Sequence, residues 1–295
     1  MIAMLYFSLL CLIYSNFFKV CSSSVLMEAA ENLYPDSSTR EKNLIASLQT
    51  LKNMRLDSIA KKKSVKIDPT ILCTTFVEPS FKHLAITEYN MKVSSQFCDW
   101  GILYIGDDDL KIIKAIEKTA DVNNVTLQFA EQSLSPENVL KKFSSSPNQF
   151  EKVKEVLGSE FKLKGIPKAF LLMQIIQYAR KYNYVWLLDA DITFEAFDVE
   201  KYFEAIKSLP DSPLLLQPVI STNDRPHSRL NLNYYEKKLN ADKIAPSNII
   251  ESMLPMIDSG FLVWFANFFM KPMLPIAYAV SGDFGSGNIT YMYYF

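Results

Sequence analysis

The sequence predicts an α/β domain whose mostly parallel sheet carries helices on both faces. Short apolar runs alternate with segments of helical pattern from Thr70 onward. Those runs are apolar at nearly every position, which suits strands buried on both faces rather than strands with one wetted face. Alternation of this kind connects parallel neighbours, because the chain must cross back over the sheet between them.

Asp68-Pro69 marks a change of character, and Thr70 to Val77, rich in β-branched residues, is the first strand. A helix around Phe81 to Val93 leads to a second strand, Trp100 to Ile105, which runs into Gly106-Asp107-Asp108-Asp109. Leu110 to Thr119 is helical, and Val125 to Phe129 is a third strand. A more polar passage follows over residues 131–163. Pro167 suits the first turn of a helix that runs to about Lys181. Tyr184 to Leu188 is the fourth strand. A helix (Val199 to Ser208), a strand (Leu214 to Val219) and a helical segment near Ile249 complete the pattern.

The composition, 49% hydrophobic and 21% charged, is that of a globular chain. Thirty-one basic against thirty-two acidic side chains leave a net charge of −1. That balance argues against nucleic acid as a partner, since binding a phosphate backbone requires a basic surplus. Ile2 to Phe18 is apolar apart from Ser8, Ser15 and Asn16, and is followed by Lys19-Val20-Cys21-Ser22. We read residues 1–22 as a signal peptide or a signal anchor, with entry into the secretory pathway (Golgi or ER lumen, membrane-anchored or secreted). Residues 23–63 are a stem or helical linker, and residues 64–295 are the domain. Two sequons, Asn124-Val125-Thr126 and Asn288-Ile289-Thr290, agree with a lumenal location. Outside the leader only Cys73 and Cys98 remain, as a disulfide or as two buried thiols.

The chemistry centres on Asp189-Ala190-Asp191. Two carboxylates at the exit of the apolar run Tyr184-Val185-Trp186-Leu187-Leu188 would be costly to bury without a cation. In an extended backbone, residues two apart face the same side, so Asp189 and Asp191 are expected to face one ion with Ala190 turned away. Ligands of open α/β sheets sit beyond the carboxyl ends of strands. Hard oxygen ligands favour Mg²⁺ or Mn²⁺, which in turn hold a diphosphate. Lys168, beside the N-terminus of the helix opened by Pro167, is a candidate phosphate ligand.

The order Gly165 and Lys168, then Tyr184 through Phe194, then Gln217-Pro218, then Ile250-Glu251-Ser252-Met253-Leu254-Pro255 resembles a eukaryotic family of GT-A-like proteins. Many of its members carry the label lysine-ketoglutarate-reductase trans-splicing-related. The resemblance spans roughly residues 66–290. It implies a Rossmann-like nucleotide-diphospho-sugar transferase fold, a nucleotide-diphospho-sugar donor, and an acceptor (glycan, protein or lipid) that it does not name. Asp189 and Asp191 match the family's metal-binding motif, with Mn²⁺ or Mg²⁺ as cofactor. Thr74 and Thr75, taken to end the first strand, and Asp107 and Asp108, after the second, lie where such folds hold the nucleotide. Glu251 matches a family carboxylate. Ser281-Gly282-Asp283-Phe284-Gly285 is similar to a late acceptor-side segment, which makes Asp283 the first candidate for catalytic base and Glu251 the second. Asn288 and Tyr291 stand where the family carries an acidic residue and a tryptophan, and the chain ends at Phe295. We therefore read it as a C-terminally shortened domain.

The activity expected is metal-dependent glycosyl transfer. A GT-A-like binding protein without catalysis is the alternative. Leu187 to Thr193 also fits the nucleophile motif of haloacid-dehalogenase-type phosphatases, with Asp189 attacking phosphorus and Asp191 as acid and base.

Overall fold

The computed structural model describes residues 70–78, 80–106, 110–143, 168–209, 213–218, 254–271 and 274. The leader, the stem and the helical segment expected near Ile249 lie outside them.

Strand β1 (Ile71–Val77) is followed by α1 (Phe81–Ser94), β2 (Asp99–Tyr104) and α2 (Leu110–Val122). Next come β3 (Leu127–Gln132), α3 (Pro136–Phe143), α4 (Lys168–Ala179) and β4 (Tyr184–Asp189). Helix α5 (Val199–Ser208), β5 (Leu215–Leu216), β6 (Met256–Asp258) and α6 (Ser259–Phe265) follow, and the chain continues as a π-helical turn over Ala266–Met270. The strands form one six-stranded sheet in the order β3-β2-β1-β4-β6-β5. β3, β2, β1 and β4 run parallel, while β6 is antiparallel to both β4 and β5. The α/β class with a mostly parallel sheet is thus observed.

Contacts divide the described residues into two compact units, one drawn from residues 134–174 and 264–274 and the other from residues 70–133 and 175–263. Helix α4 begins in the first unit, where the Gln174 side chain accepts from the Leu134 N–H at 2.7 Å. Within that unit α3 starts at Pro136, whose missing N–H costs nothing at a first helical position, and buries Val139 and Leu140.

The second unit contains the sheet. Alternate strand residues, Cys73, Trp100, Ile102, Trp186 and Met256 among them, pack with Met91 of α1, Ile116 of α2 and Phe203 of α5 in one core. The opposite face is covered too. Phe129 of β3 stacks on Tyr178, near the end of α4, with ring centroids 4.1 Å apart. That ring lies across Gly101, where any Cβ would collide with it. Both faces being covered is why the strands read as continuous apolar runs. Cys73 and Cys98 form a disulfide with Cα atoms 5.9 Å apart, tying β1 to the residue preceding β2.

The third strand begins two residues later than expected. Asn124 adopts a left-handed backbone (φ 52°), and the Val125 N–H bonds back to the Ala120 carbonyl at 2.9 Å. The end of α2 therefore occupies Val125. The strand expected over Leu214 to Val219 shrinks to Leu215–Leu216, and Pro218 has no N–H to extend a ladder. The sequence pattern does not mark α3, β6 or α6.

Candidate functional site

The strand order defines where a ligand site belongs. From β1 the chain moves to β2 and β3 on one side, while β4 pairs with β1 on the other. The order reverses between β1 and β4, and open α/β sheets bind ligands at such a point, beyond the carboxyl ends of the strands. Asp189 is the last residue of β4 and is level with Phe76 of β1. The motif seen in the sequence therefore lies at the switch point.

Its local geometry differs from the expectation. The strand stops at Asp189, and Ala190 and Asp191 form a turn closed by the Ile192 N–H on the Asp189 carbonyl at 3.1 Å. Same-face placement by extended alternation does not apply across a turn. Asp189 is partly exposed, Ala190 is buried, and Asp191 is exposed. A buried alanine between two accessible carboxylates is what a small residue at this position allows.

The chain leaving the turn is held tightly. Phe194 is buried and stacks on Trp186 with centroids 5.1 Å apart. Trp186 donates its indole N–H to the Leu254 carbonyl at 3.1 Å, so this large ring is fixed at both its apolar and its polar end. Phe197, Tyr202 and Phe203 complete the ring cluster around Trp186. The Tyr202 hydroxyl is buried without a partner, and burial, with Tyr184 close by, raises its pKa far above the phenol value. It stays neutral at any physiological pH.

On α1, Asn90 is buried and reaches the same segment. Its Nδ2 donates to the Ile192 carbonyl at 2.7 Å, and its Oδ1 accepts from the Phe194 N–H at 2.9 Å. The sequence offers no signal for this residue, because one asparagine in a helical stretch reads as a polar-face residue.

The other anticipated residues fall as follows. Thr74 and Thr75 do not end β1, which continues through Phe76 and Val77 in register with Leu103 and Tyr104. Both are buried inside the sheet, with hydroxyls that have no partner. Lys168 opens α4 and belongs to the other unit. Asp107, Asp108, Glu251 and Asp283 lie outside the described residues.

Carboxylate oxygens are the kind of donor that a hard divalent cation takes. Among the described residues no three His, Cys, Asp or Glu side chains cluster. Asp189 and Asp191 would be the protein ligands, with phosphate and water completing the shell, as is usual for Mg²⁺ held against a diphosphate. No helix among the described residues is long and apolar enough to cross a membrane.

No family model matches the chain, and no curated protein matches it. Among solved structures, the chain is similar to the mannosyltransferase PcManGT from Pyrobaculum calidifontis in complex with GDP-Man and Mn²⁺, at 13% identity and a TM-score of 0.35. The match covers 74% of this chain and 56% of that one, so the chain spans little more than half of that structure's length.

Proposed function

We propose that the chain is a metal-dependent glycosyltransferase that takes a nucleotide-diphospho-sugar as donor. The observation that carries this reading is the pair of accessible carboxylates, Asp189 at the end of β4 and Asp191 in the turn that follows, at the switch point of the sheet. In this reading the two aspartates hold Mn²⁺ or Mg²⁺, which when bound neutralises the diphosphate leaving group. Asp107 and Asp108 are assigned to the donor nucleotide. Asp283, or failing it Glu251, takes the proton from the acceptor hydroxyl if the reaction inverts. The buried Cys73–Cys98 disulfide supports a chain that folds in an oxidising compartment of the secretory pathway.

The test is turnover of a panel of nucleotide-sugars in Mn²⁺, followed by release of the nucleotide. We expect hydrolysis or transfer from one donor, lost in Asp191→Ala and Asp189→Ala. Metal-dependent nucleotide binding without turnover would make the chain a donor-binding protein. Phosphomonoester hydrolysis with an aspartyl-phosphate trapped on Asp189 would make it a phosphatase.

A further inference from the structure

We infer that Asn90 is a positioning residue for the Asp189–Asp191 turn, which it acts on through the backbone of Ile192 and Phe194. The inference rests on the reading of that turn as a metal–diphosphate site.

An amide buried to 3% exposure is costly unless its polar atoms are satisfied. In Asn90 both ends are, and by the same segment. The donor meets the Ile192 carbonyl and the acceptor meets the Phe194 N–H, two residues apart. The side chain thus engages the edge of the backbone as a neighbouring strand would. Residues 192–194 belong to no ladder, and Phe194 is buried, so its N–H depends on this side chain for a partner. An apolar residue here would fill the space between α1 and the loop but would not fix the loop's register.

The platform is itself anchored. The Ser94 hydroxyl donates to the Asn90 carbonyl at 2.7 Å and accepts from the Trp100 indole N–H at 3.0 Å. On the far side, the Phe194 ring is stacked on Trp186. Asp189 is held by the β1 ladder at one end, and Ile192 by Asn90 at the other. Only Ala190 and Asp191 span the two fixed points. The clamp therefore determines where the backbone presents Asp191 relative to Asp189, and ligands held this way bind a metal more tightly than ligands free to move.

The experiment titrates Mn²⁺ alone into the full chain and follows the loss of the free-ion electron paramagnetic resonance signal. Four proteins are compared: the wild type, Asn90→Leu, Asn90→Ala, and Gly101→Ala, which weakens the fold through Phe129 on the opposite face. We expect the Asn90 variants, at full folding by circular dichroism, to bind Mn²⁺ about 10- to 100-fold more weakly. Gly101→Ala should bind like the wild type. Asn90 variants that bind as tightly as the wild type overturn the positioning role alone. A wild type that binds no Mn²⁺ overturns the metal reading and this inference with it. If the Asn90 variants do not fold, amide exchange of the wild type decides the matter. Saturating Mg²⁺ should slow exchange at the Phe194 amide, and no change there under bound metal overturns the coupling.

Discussion

The Cys73–Cys98 cross-link joins residues 25 apart in sequence, between β1 and the start of β2. Closing a loop of that length removes about 12 cal/mol/K of entropy from the unfolded chain, or about 3.5 kcal/mol at 25 °C. Replacing both cysteines by alanine also leaves two small voids in a buried region, each costing about 1 kcal/mol. Reduction alone should therefore destabilise by about 3.5 kcal/mol, and Cys73→Ala/Cys98→Ala by about 5.5 kcal/mol. At about 2–4 °C per kcal/mol for a domain of this size, reduction lowers Tm by roughly 7–14 °C. The assay is urea unfolding of the wild type with and without reductant, beside the double variant, with peptide mapping of alkylated thiols. Free thiols at both positions in the unreduced protein would rule out the cross-link, and a reduction effect below about 1 kcal/mol would rule out its stabilising role.

Two further outcomes follow from the packing and the titratable groups. Gly101→Ala should lower stability by about 1–3 kcal/mol in urea unfolding, because the new methyl meets a Phe129 ring that is stacked on Tyr178 and has little room to retreat; an unchanged midpoint would show that the ring does retreat. Tyr182 donates its hydroxyl to Asp99 Oδ2 at 2.6 Å, and burial, then this bond, then the Asp99 charge hold its pKa well above the phenol value. The folded pKa lies above the unfolded value of about 10, so this contribution to stability is complete below pH 10 and is lost as pH rises beyond it. In Tyr182→Phe, unfolding free energy should fall less steeply above about pH 10, and equal slopes would contradict the assignment.

The parts of the fold legible in the sequence are those where one local signal dominates. Tyr184 to Leu188 could be read because a central parallel strand is apolar throughout. Val199 to Ser208 could be read because Asp198 caps it, accepting from the Lys201 N–H at 2.9 Å, ahead of an apolar stripe of Val199, Phe203 and Ile206. Short elements carry too few residues for a period to show. Met256–Asp258 is a strand only because β4 and β5 lie beside it. Helix α3 was hidden in a polar passage because it buries just Val139 and Leu140. The site was half legible. Two aspartates after an apolar strand are visible in any reading, but the turn that ends the extended backbone at Asp189 is not. Nor is Asn90, which meets the site from about a hundred residues away in sequence.

A metal–diphosphate site at the Asp189–Asp191 turn is tested most directly by calorimetric binding of UDP and GDP to the full chain, in Mn²⁺ and again in chelator. One nucleotide should bind only with the metal present, and Asp191→Ala, folded and as stable as the wild type, should abolish that binding. Binding of equal strength in chelator, or binding that survives both Asp189→Ala and Asp191→Ala, would show that the turn beyond β4 is not a metal–diphosphate site.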